Sequence, residues 1–187
     1  NMSFVSDIRS NINDINGAPS DFDIYWNFSM MYNWINILKP ICSVIKFRHI
    51  YTQYYNIDNI EPYMDEFNTS KTFGLDFIQD MKNNILKFSK GKLYIQAWAG
   101  QTSTEMRLWI KQKNINNIIE YDNKDIENKM FYFNTINRGY CYHKNESASK
   151  ILSFCNCNDC ALENVIWKNY IIKNKIKNKS VHDFVKE

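Results

Sequence analysis

The feature that most constrains the fold of this chain is a helical pattern that lies between two short apolar runs. The pattern begins at Ser20, where Asp23 gives a capping-box-like signature, and it stops before Pro40. Residues 2–5 precede it and residues 41–47 follow it, and both runs have the composition of buried strands. Strand, helix, strand predicts an α/β fold, and the nearly continuous apolar run 41–47 predicts a strand covered on both faces of a parallel sheet.

The remaining sequence predicts more helices and one antiparallel strand pair. Residues 51–67 are polar and tyrosine-rich without periodicity, so we predict that they are irregular. Helices are predicted at 73–88, 123–138 and 162–176, and two antiparallel strands at 91–99 and 105–111. The apolar stripe of the first of these helices is Phe77, Met81, Ile85 and Phe88.

Length predicts one domain, because 187 residues can bury one good core but rarely two. Within residues 1–187 we expect an inserted segment at about 51–90 and a C-terminal helical extension at 140–187. The net charge of +3 permits a local basic surface without proving nucleic-acid binding. No apolar run approaches the roughly 20 residues of a membrane span, and no signal peptide is present, so we expect a cytoplasmic protein without membrane contact.

Five cysteines are an odd number, and three of them crowd into the sequence FCNCNDC, which does not indicate a secreted disulfide framework. The spacing does not match a standard zinc motif, and we predict no metal. The sequence leaves open whether zinc binds to a set of possible ligands, namely Cys141, His143, Cys155, Cys157 and Cys160.

Three charged residues lie where predicted strands would deliver them to one site. Asp7 and Lys46 fall at the ends of the two apolar runs, and Glu105 begins a later predicted strand. Ligands of open α/β sheets bind beyond the carboxyl ends of the strands. Alternatively, Asp7 is a helix or turn cap, and Glu105 pairs with Arg107 along its strand.

Four segments carry a family resemblance in this order: SDIRS, VIKFRH, STEMRL and IENKMFYFN. They resemble the poxvirus family of cap-specific mRNA nucleoside-2'-O-methyltransferases, which also serve as the small subunit of the viral poly(A) polymerase and are related to the FtsJ-type enzymes. The family uses a Lys-Asp-Lys-Glu tetrad. Its last three members map onto Asp7, Lys46 and Glu105, and the first lysine has no counterpart here.

The resemblance implies a Rossmann-like S-adenosylmethionine-dependent methyltransferase fold, represented by the second half of its sheet with an antiparallel final strand pair and C-terminal helices. The chain would be the carboxyl-terminal part of a longer protein or one half of a split one. Lys46 would be the base that draws the proton from a ribose 2'-hydroxyl, because an alcohol attacks a methyl group poorly while it keeps that proton. Asp7 and Glu105 would orient the amine and the ribose, and Asp7 would also contact the cofactor.

For the RNA, the resemblance implies that Tyr51 stacks on the 7-methylguanine cap and that Glu127 contacts the base edge. Gln53 and Thr102 depart from the family at two further cap positions. Arg9 and Arg48 are candidates for phosphate contacts.

The expected reaction is methylation of the first transcribed nucleotide of capped mRNA. The expected partners are capped mRNA, the missing N-terminal half or a companion chain, and a viral poly(A) polymerase or capping-enzyme subunit, in the host cytoplasm at viral replication sites or in the virion. Two alternatives stay open. One is a non-catalytic RNA-binding accessory subunit of a viral poly(A) polymerase or capping complex, and the other is methylation of ribosomal or transfer RNA.

Overall fold

A computed structural model describes residues 2–10, 12, 19–50, 60–95, 104–137, 166 and 168–176. These residues form an α/β structure with a mixed sheet. Its strands are β1 (Ser3–Ser6), β2 (Cys42–Phe47), β3 (Lys87–Ser89), β4 (Lys92–Ile95), β5 (Met106–Lys111) and β6 (Ile118–Glu120). Its α-helices are α1 (Asp21–Leu38), α2 (Met64–Thr72), α3 (Phe77–Lys82) and α4 (Asn123–Tyr132), with 3-10 turns at Glu61–Tyr63 and Gln112–Asn114 and a π-helical turn at Phe133–Asn137.

The main sheet has the strand order β1-β2-β5-β4. β1 and β2 are parallel and are joined through α1, as the strand-helix-strand pattern predicts. β5 runs antiparallel to both β2 and β4, which confirms the predicted antiparallel pair. A separate two-stranded sheet pairs β3 with β6. The reversed direction of β5 brings its beginning next to the end of β2.

Helix α1 begins and ends where its sequence predicts. The Asp23 backbone N–H donates to the Ser20 hydroxyl, and the Ser20 backbone N–H donates in return to the Asp23 carboxylate at 2.9 Å. Lys39 takes a left-handed conformation with φ 44°, and Pro40 follows, so the helix cannot continue. These two signals confirm the predicted limits of the helix.

The core lies on one face of the main sheet, under α1. Phe28 of α1 stacks on Phe47 of β2 at 5.2 Å between ring centroids, and Tyr32 meets Phe88 of β3 edge-on at 5.6 Å. Along β2 and β5, buried residues alternate with residues that are only partly buried. The prediction that β2 is covered on both faces is therefore wrong. Residues 2–5 are predicted to form a buried strand. The strand is present as β1, but the predicted burial is wrong, because β1 is an edge strand and Val5 is 74% exposed.

The helix predicted at 73–88 is confirmed only over α3. The chain leaves the helix at Asn83 and Asn84, where Asn84 has a positive φ of 54°, and it continues into β3. Phe88 is buried in a strand, and its position three residues after Ile85 and seven after Met81 imitated a helical stripe. Residues 60–67 are not irregular as predicted, because a 3-10 turn leads into α2, and Phe67 packs on Phe22 of α1.

Gly91 permits the close approach of β4 to β5. A Cβ atom at this position would lie 2.6 Å from a side-chain carbon of Leu108 and 2.7 Å from the carbonyl oxygen of Trp109. The second contact is to backbone, which cannot move aside without opening the strand pair.

The chain divides into two compact units, Asn1–Ile95 with Thr104–Glu127 and Gln96–Ser103 with Asn128–Glu187. The first contains both sheets, α1 to α3 and the start of α4, which confirms the beginning of the helix predicted at 123–138. In the second, the described residues form the rest of α4, the π-helical turn and helical residues at 168–173. Among the described residues, no helix combines the length and apolar character needed to cross a bilayer.

Candidate active site

Asp7, Lys46 and Glu105 meet at one edge of the main sheet. Asp7 follows the last residue of β1, and Lys46 is the penultimate residue of the parallel strand β2. Because β5 is antiparallel to β2, Glu105 precedes β5 at the same edge. The strand directions therefore bring together three residues that lie almost a hundred positions apart.

The amine of Lys46 bridges the two acids. Its Nζ lies 3.2 Å from Asp7 Oδ1 and 3.0 Å from Glu105 Oε2. Both contacts are charge-assisted and use two of the three N–H groups of an ammonium. The structure thus brings the three predicted residues together, and their membership of a functional site and their chemical roles stay predictions.

Arg107 is a fourth member of this site that the sequence reasoning treated only as a competing partner of Glu105. Its Nη1 lies 2.6 Å from Glu105 Oε1, and its Nη2 lies 3.2 Å from Asp7 Oδ1. Glu105 thus pairs with Lys46 and Arg107 at once. Its pairing with Arg107 is therefore compatible with its place beside Lys46. The signal was present in the sequence, because Arg107 follows Glu105 by two positions and so faces the same side of an extended segment.

The four charges form a closed network of two cations and two carboxylates. The side chains of Lys46, Glu105 and Arg107 are 19%, 23% and 25% exposed, whereas that of Asp7 is 62% exposed. Three members are thus largely withdrawn from water and hold each other through hydrogen-bonded ion pairs. Asp7 presents its carboxylate to the solvent side, where a ligand can reach it.

A small cleft of about 30 Å³ opens beside Lys46. Ile24, Phe28 and Met31 of α1 contribute to its largely apolar lining, and Arg9, Lys46 and Arg48 also border it. The volume suits one or two water molecules and is far below that of a nucleoside. Both predicted phosphate-binding arginines therefore border the same cleft as Lys46, and this cleft is too small for a cofactor.

The segment that carries Asp7 and Arg9 is fastened to α1. The Ser10 hydroxyl donates to Asn27 Oδ1 at 2.7 Å, and the Ile12 backbone N–H donates to Asp23 Oδ1 at 2.9 Å. The same Asp23 caps α1 and is fully buried. The helix start thus also positions the chain that follows β1.

The segment after β2 is fastened to the start of α4. The side-chain amide of Asn123 accepts from the Ile50 backbone N–H at 2.9 Å and donates to the Ile50 carbonyl. His49 is 1% exposed, and burial lowers its pKa, while the nearby Glu127 carboxylate opposes that shift. Glu127 itself is exposed on α4. The predicted cap-binding acid therefore lies near the chain that leaves β2.

Several predicted residues lie outside the described residues. These are Tyr51, the predicted stacking residue, Gln53 and Thr102 at the two further cap positions, and the possible zinc ligands Cys141, His143, Cys155, Cys157 and Cys160.

No protein-family model matches this chain, and no curated protein matches it at a significant level. The function of the site therefore has to be inferred from its geometry and from the residues that form it.

Proposed function

We propose that this chain carries the acceptor side of an S-adenosylmethionine-dependent RNA ribose 2'-O-methyltransferase that acts on capped mRNA. The observation that carries the proposal is the position of Lys46 Nζ between Asp7 and Glu105, at 3.2 and 3.0 Å, near the end of β2. The two carboxylates fix the Lys46 amine at the edge of the α/β sheet and stabilise the ammonium that forms when it receives a hydroxyl proton from a bound ligand. The order acid, lysine, acid is the one that the family resemblance implies.

The sheet supports the same proposal. The resemblance implies the second half of a methyltransferase sheet with an antiparallel final strand pair. The strand order β1-β2-β5-β4, in which only β5 is reversed, fits that expectation.

In the proposed reaction, the Lys46 ammonium first releases a proton to solvent, and the neutral amine then accepts the proton of the 2'-hydroxyl while the oxygen forms its bond to the methyl carbon. S-adenosylmethionine, when bound, would supply that methyl group as an electrophile and would keep the electron pair of the carbon–sulfur bond on its sulfur. Glu105 and Asp7 fix the direction of the amine, and Arg107 fixes the two carboxylates in turn. The exposed Asp7 carboxylate is the group that would attract the sulfonium cation.

The fit to the cofactor is partial. Asp7 offers a suitable charge, but the adjoining cleft measures only about 30 Å³ and is too small for adenosine. No adenosine contact is therefore assigned to any described residue.

On the RNA side, Arg9 and Arg48 line the cleft next to Lys46 and are suited to bind phosphates. Glu127 lies near the segment after β2 and is the proposed acceptor for the edge of the 7-methylguanine base. Tyr51 is retained as the proposed stacking residue.

The test is transfer of a labelled methyl group from S-adenosylmethionine to RNA that bears a 7-methylguanosine cap. The 187-residue chain is assayed alone and within any longer reading frame that contains it, together with Lys46→Ala. Lys82→Ala, at an exposed lysine of α3, is the matched control. Cap-dependent transfer that Lys46→Ala loses and Lys82→Ala keeps supports the proposal, and equal transfer by all three proteins contradicts it.

A non-catalytic RNA-binding subunit is the second candidate, and the small size of the cleft beside Lys46 is the observation that favours it. This candidate predicts RNA binding by the folded protein without methyl transfer, and the same binding by Lys46→Ala and Lys82→Ala.

A further inference from the structure

We propose that the outward face of β4 and β5 binds single-stranded RNA and guides it into the Lys46 site. This face, named here the aromatic–basic face, consists of Lys92 and Tyr94 on β4 and of Arg107, Trp109 and Lys111 on β5. The inference deepens the proposed function, on which it rests for the choice of RNA as the ligand.

Strand alternation directs these side chains away from the core. Met106, Leu108 and Ile110 of β5 are buried, so Arg107, Trp109 and Lys111 project from the opposite side of the sheet. Tyr94, on the edge strand β4, is 42% exposed. An aromatic side chain that stays this exposed on a sheet offers a flat surface to a ligand.

Aromatic and cationic side chains alternate across the two strands. Tyr94 is opposite Arg107, and Lys92 is opposite Trp109, in the antiparallel ladder. The two ring centroids lie 6.3 Å apart. The Lys92 ammonium lies 4.9 Å from the centroid of the Tyr94 ring, and that of Lys111 lies 5.4 Å from the centroid of the Trp109 ring. Each ring thus has a lysine ammonium over it.

The charge of the face indicates an anionic ligand. Neither β4 nor β5 contains an acidic residue. Asp7 and Glu105 pair with Arg107 at one end of the face, and Lys92 and Lys111 give the rest of it a positive charge. Single-stranded RNA combines phosphates, which cations bind, with exposed bases, which stack on aromatic rings. A duplex hides the faces of its bases, so it would use only the charge.

The face is continuous with the candidate active site. Arg107 belongs to both, because it contacts Asp7 and Glu105 and also lies opposite Tyr94. From Arg107 to Lys111 the strand advances four residues, or about 13 Å. RNA that follows these side chains reaches Lys46, which is opposite Arg107 on the other neighbouring strand.

The test is fluorescence anisotropy of a labelled, uncapped oligouridylate of about twelve nucleotides with the 187-residue chain, without methyl donor. Tyr94→Val removes the ring and keeps strand propensity, and Tyr94→Phe is its matched control. Lys92→Gln removes one cation from the face, and Lys82→Gln removes one from α3. Thermal unfolding of every variant verifies that it is folded.

We expect Tyr94→Val to weaken binding by about tenfold and Tyr94→Phe to leave it unchanged. Lys92→Gln is expected to reduce the slope of log affinity against log salt by about 0.7, and Lys82→Gln is not. Equal affinity of Tyr94→Val and Tyr94→Phe overturns the proposal, as does a duplex that competes as well as a single strand. Self-association of the wild-type chain that Tyr94→Val abolishes also overturns it, because the face would then be an interface between copies.

This experiment is separable from the test of the proposed function. If the chain transfers no methyl group but RNA binding depends on Tyr94, the proposed function fails and the RNA-binding face stands. If methyl transfer depends on Lys46 but RNA binding does not depend on Tyr94 or Lys92, the proposed function stands and the RNA-binding face fails.

Discussion

Lys46 and Arg107 face each other directly across the antiparallel ladder of β2 and β5. Like charges in this position repel and destabilise a strand pair. The arrangement is tolerated because the carboxylates of Asp7 and Glu105 each contact both cations. The two acids therefore hold the sheet edge together in addition to any chemical role.

A double-mutant cycle tests this relationship. Glu105→Gln removes a charge between the two cations, and we expect it to lower the free energy of unfolding by about 1 kcal/mol. Lys46→Met in the same background removes the repulsion, so the double variant should be more stable than the sum of the single effects implies. Urea unfolding measures all four proteins, with Lys82→Met as the control for a lysine outside the network. Strict additivity would show that the network has no such coupling.

Arg107→Lys tests whether Arg107 positions the carboxylates. Lysine keeps the charge but, as a single point charge, cannot form the two-pronged contact with Asp7 and Glu105. If the proposed function is correct, kcat of methyl transfer should fall about tenfold or more while KM for RNA changes little, because attraction to phosphate is retained. Steady-state kinetics with capped RNA measures both constants. A rise in KM alone would assign Arg107 to RNA binding and not to positioning.

Asn123→Ala tests the link between β2 and α4. The amide makes two hydrogen bonds to the backbone of Ile50, and we expect their loss to cost about 1 to 2 kcal/mol of unfolding free energy. Glu127→Gln is the comparison on the same helix, and it should leave stability unchanged because Glu127 is exposed.

Glu127→Gln also tests whether Glu127 recognises the cap without contributing to stability. We expect Glu127→Gln to weaken the binding of a 7-methylguanosine cap analogue, followed by tryptophan fluorescence, while its urea midpoint stays that of the wild type. A Glu127→Gln variant with undiminished cap binding would remove this residue from the proposed site.

The buried His49 predicts that the free energy of unfolding decreases at acid pH. Burial lowers its pKa below the ordinary value of 6.5, so the unfolded chain takes up a proton at a higher pH than the folded chain does. The stability that depends on neutral His49 is thus fully present above pH 6.5 and is lost as the pH falls toward the folded pKa. The contribution is at most about 1.4 kcal/mol per pH unit.

Urea unfolding between pH 5 and pH 8 tests this expectation in the wild type and in His49→Gln. The difference between the two unfolding free energies should change with pH only below the ordinary histidine value. A difference that stays constant across the range would mean that His49 titrates alike in the folded and unfolded chains.

Local signals explain which elements the sequence predicted correctly. The limits of α1 follow from Ser20, Asp23 and Pro40, whose effects act within a few residues. The β4–β5 pair follows from two apolar runs separated by a short polar segment. The prediction of one helix over residues 73–88 failed because the spacing of apolar residues does not distinguish two cases. One is a continuous helix, and the other is a short helix that ends before Asn84 and is followed by a buried strand.

The sequence by itself determined the α/β class, the capping of α1 and the identities of Asp7, Lys46 and Glu105, because each depends on residue type and short-range order. Only the tertiary structure decided that Arg107 joins these residues, that one face of the sheet stays only partly buried, and that Asn123 ties α4 to the end of β2. These outcomes depend on the direction and register of strands distant in sequence. A shift of one residue between β2 and β5 would direct Arg107 and Lys46 to opposite faces. Register is fixed by the burial of Ile45, Phe47 and Leu108 in a common core, which no single segment specifies.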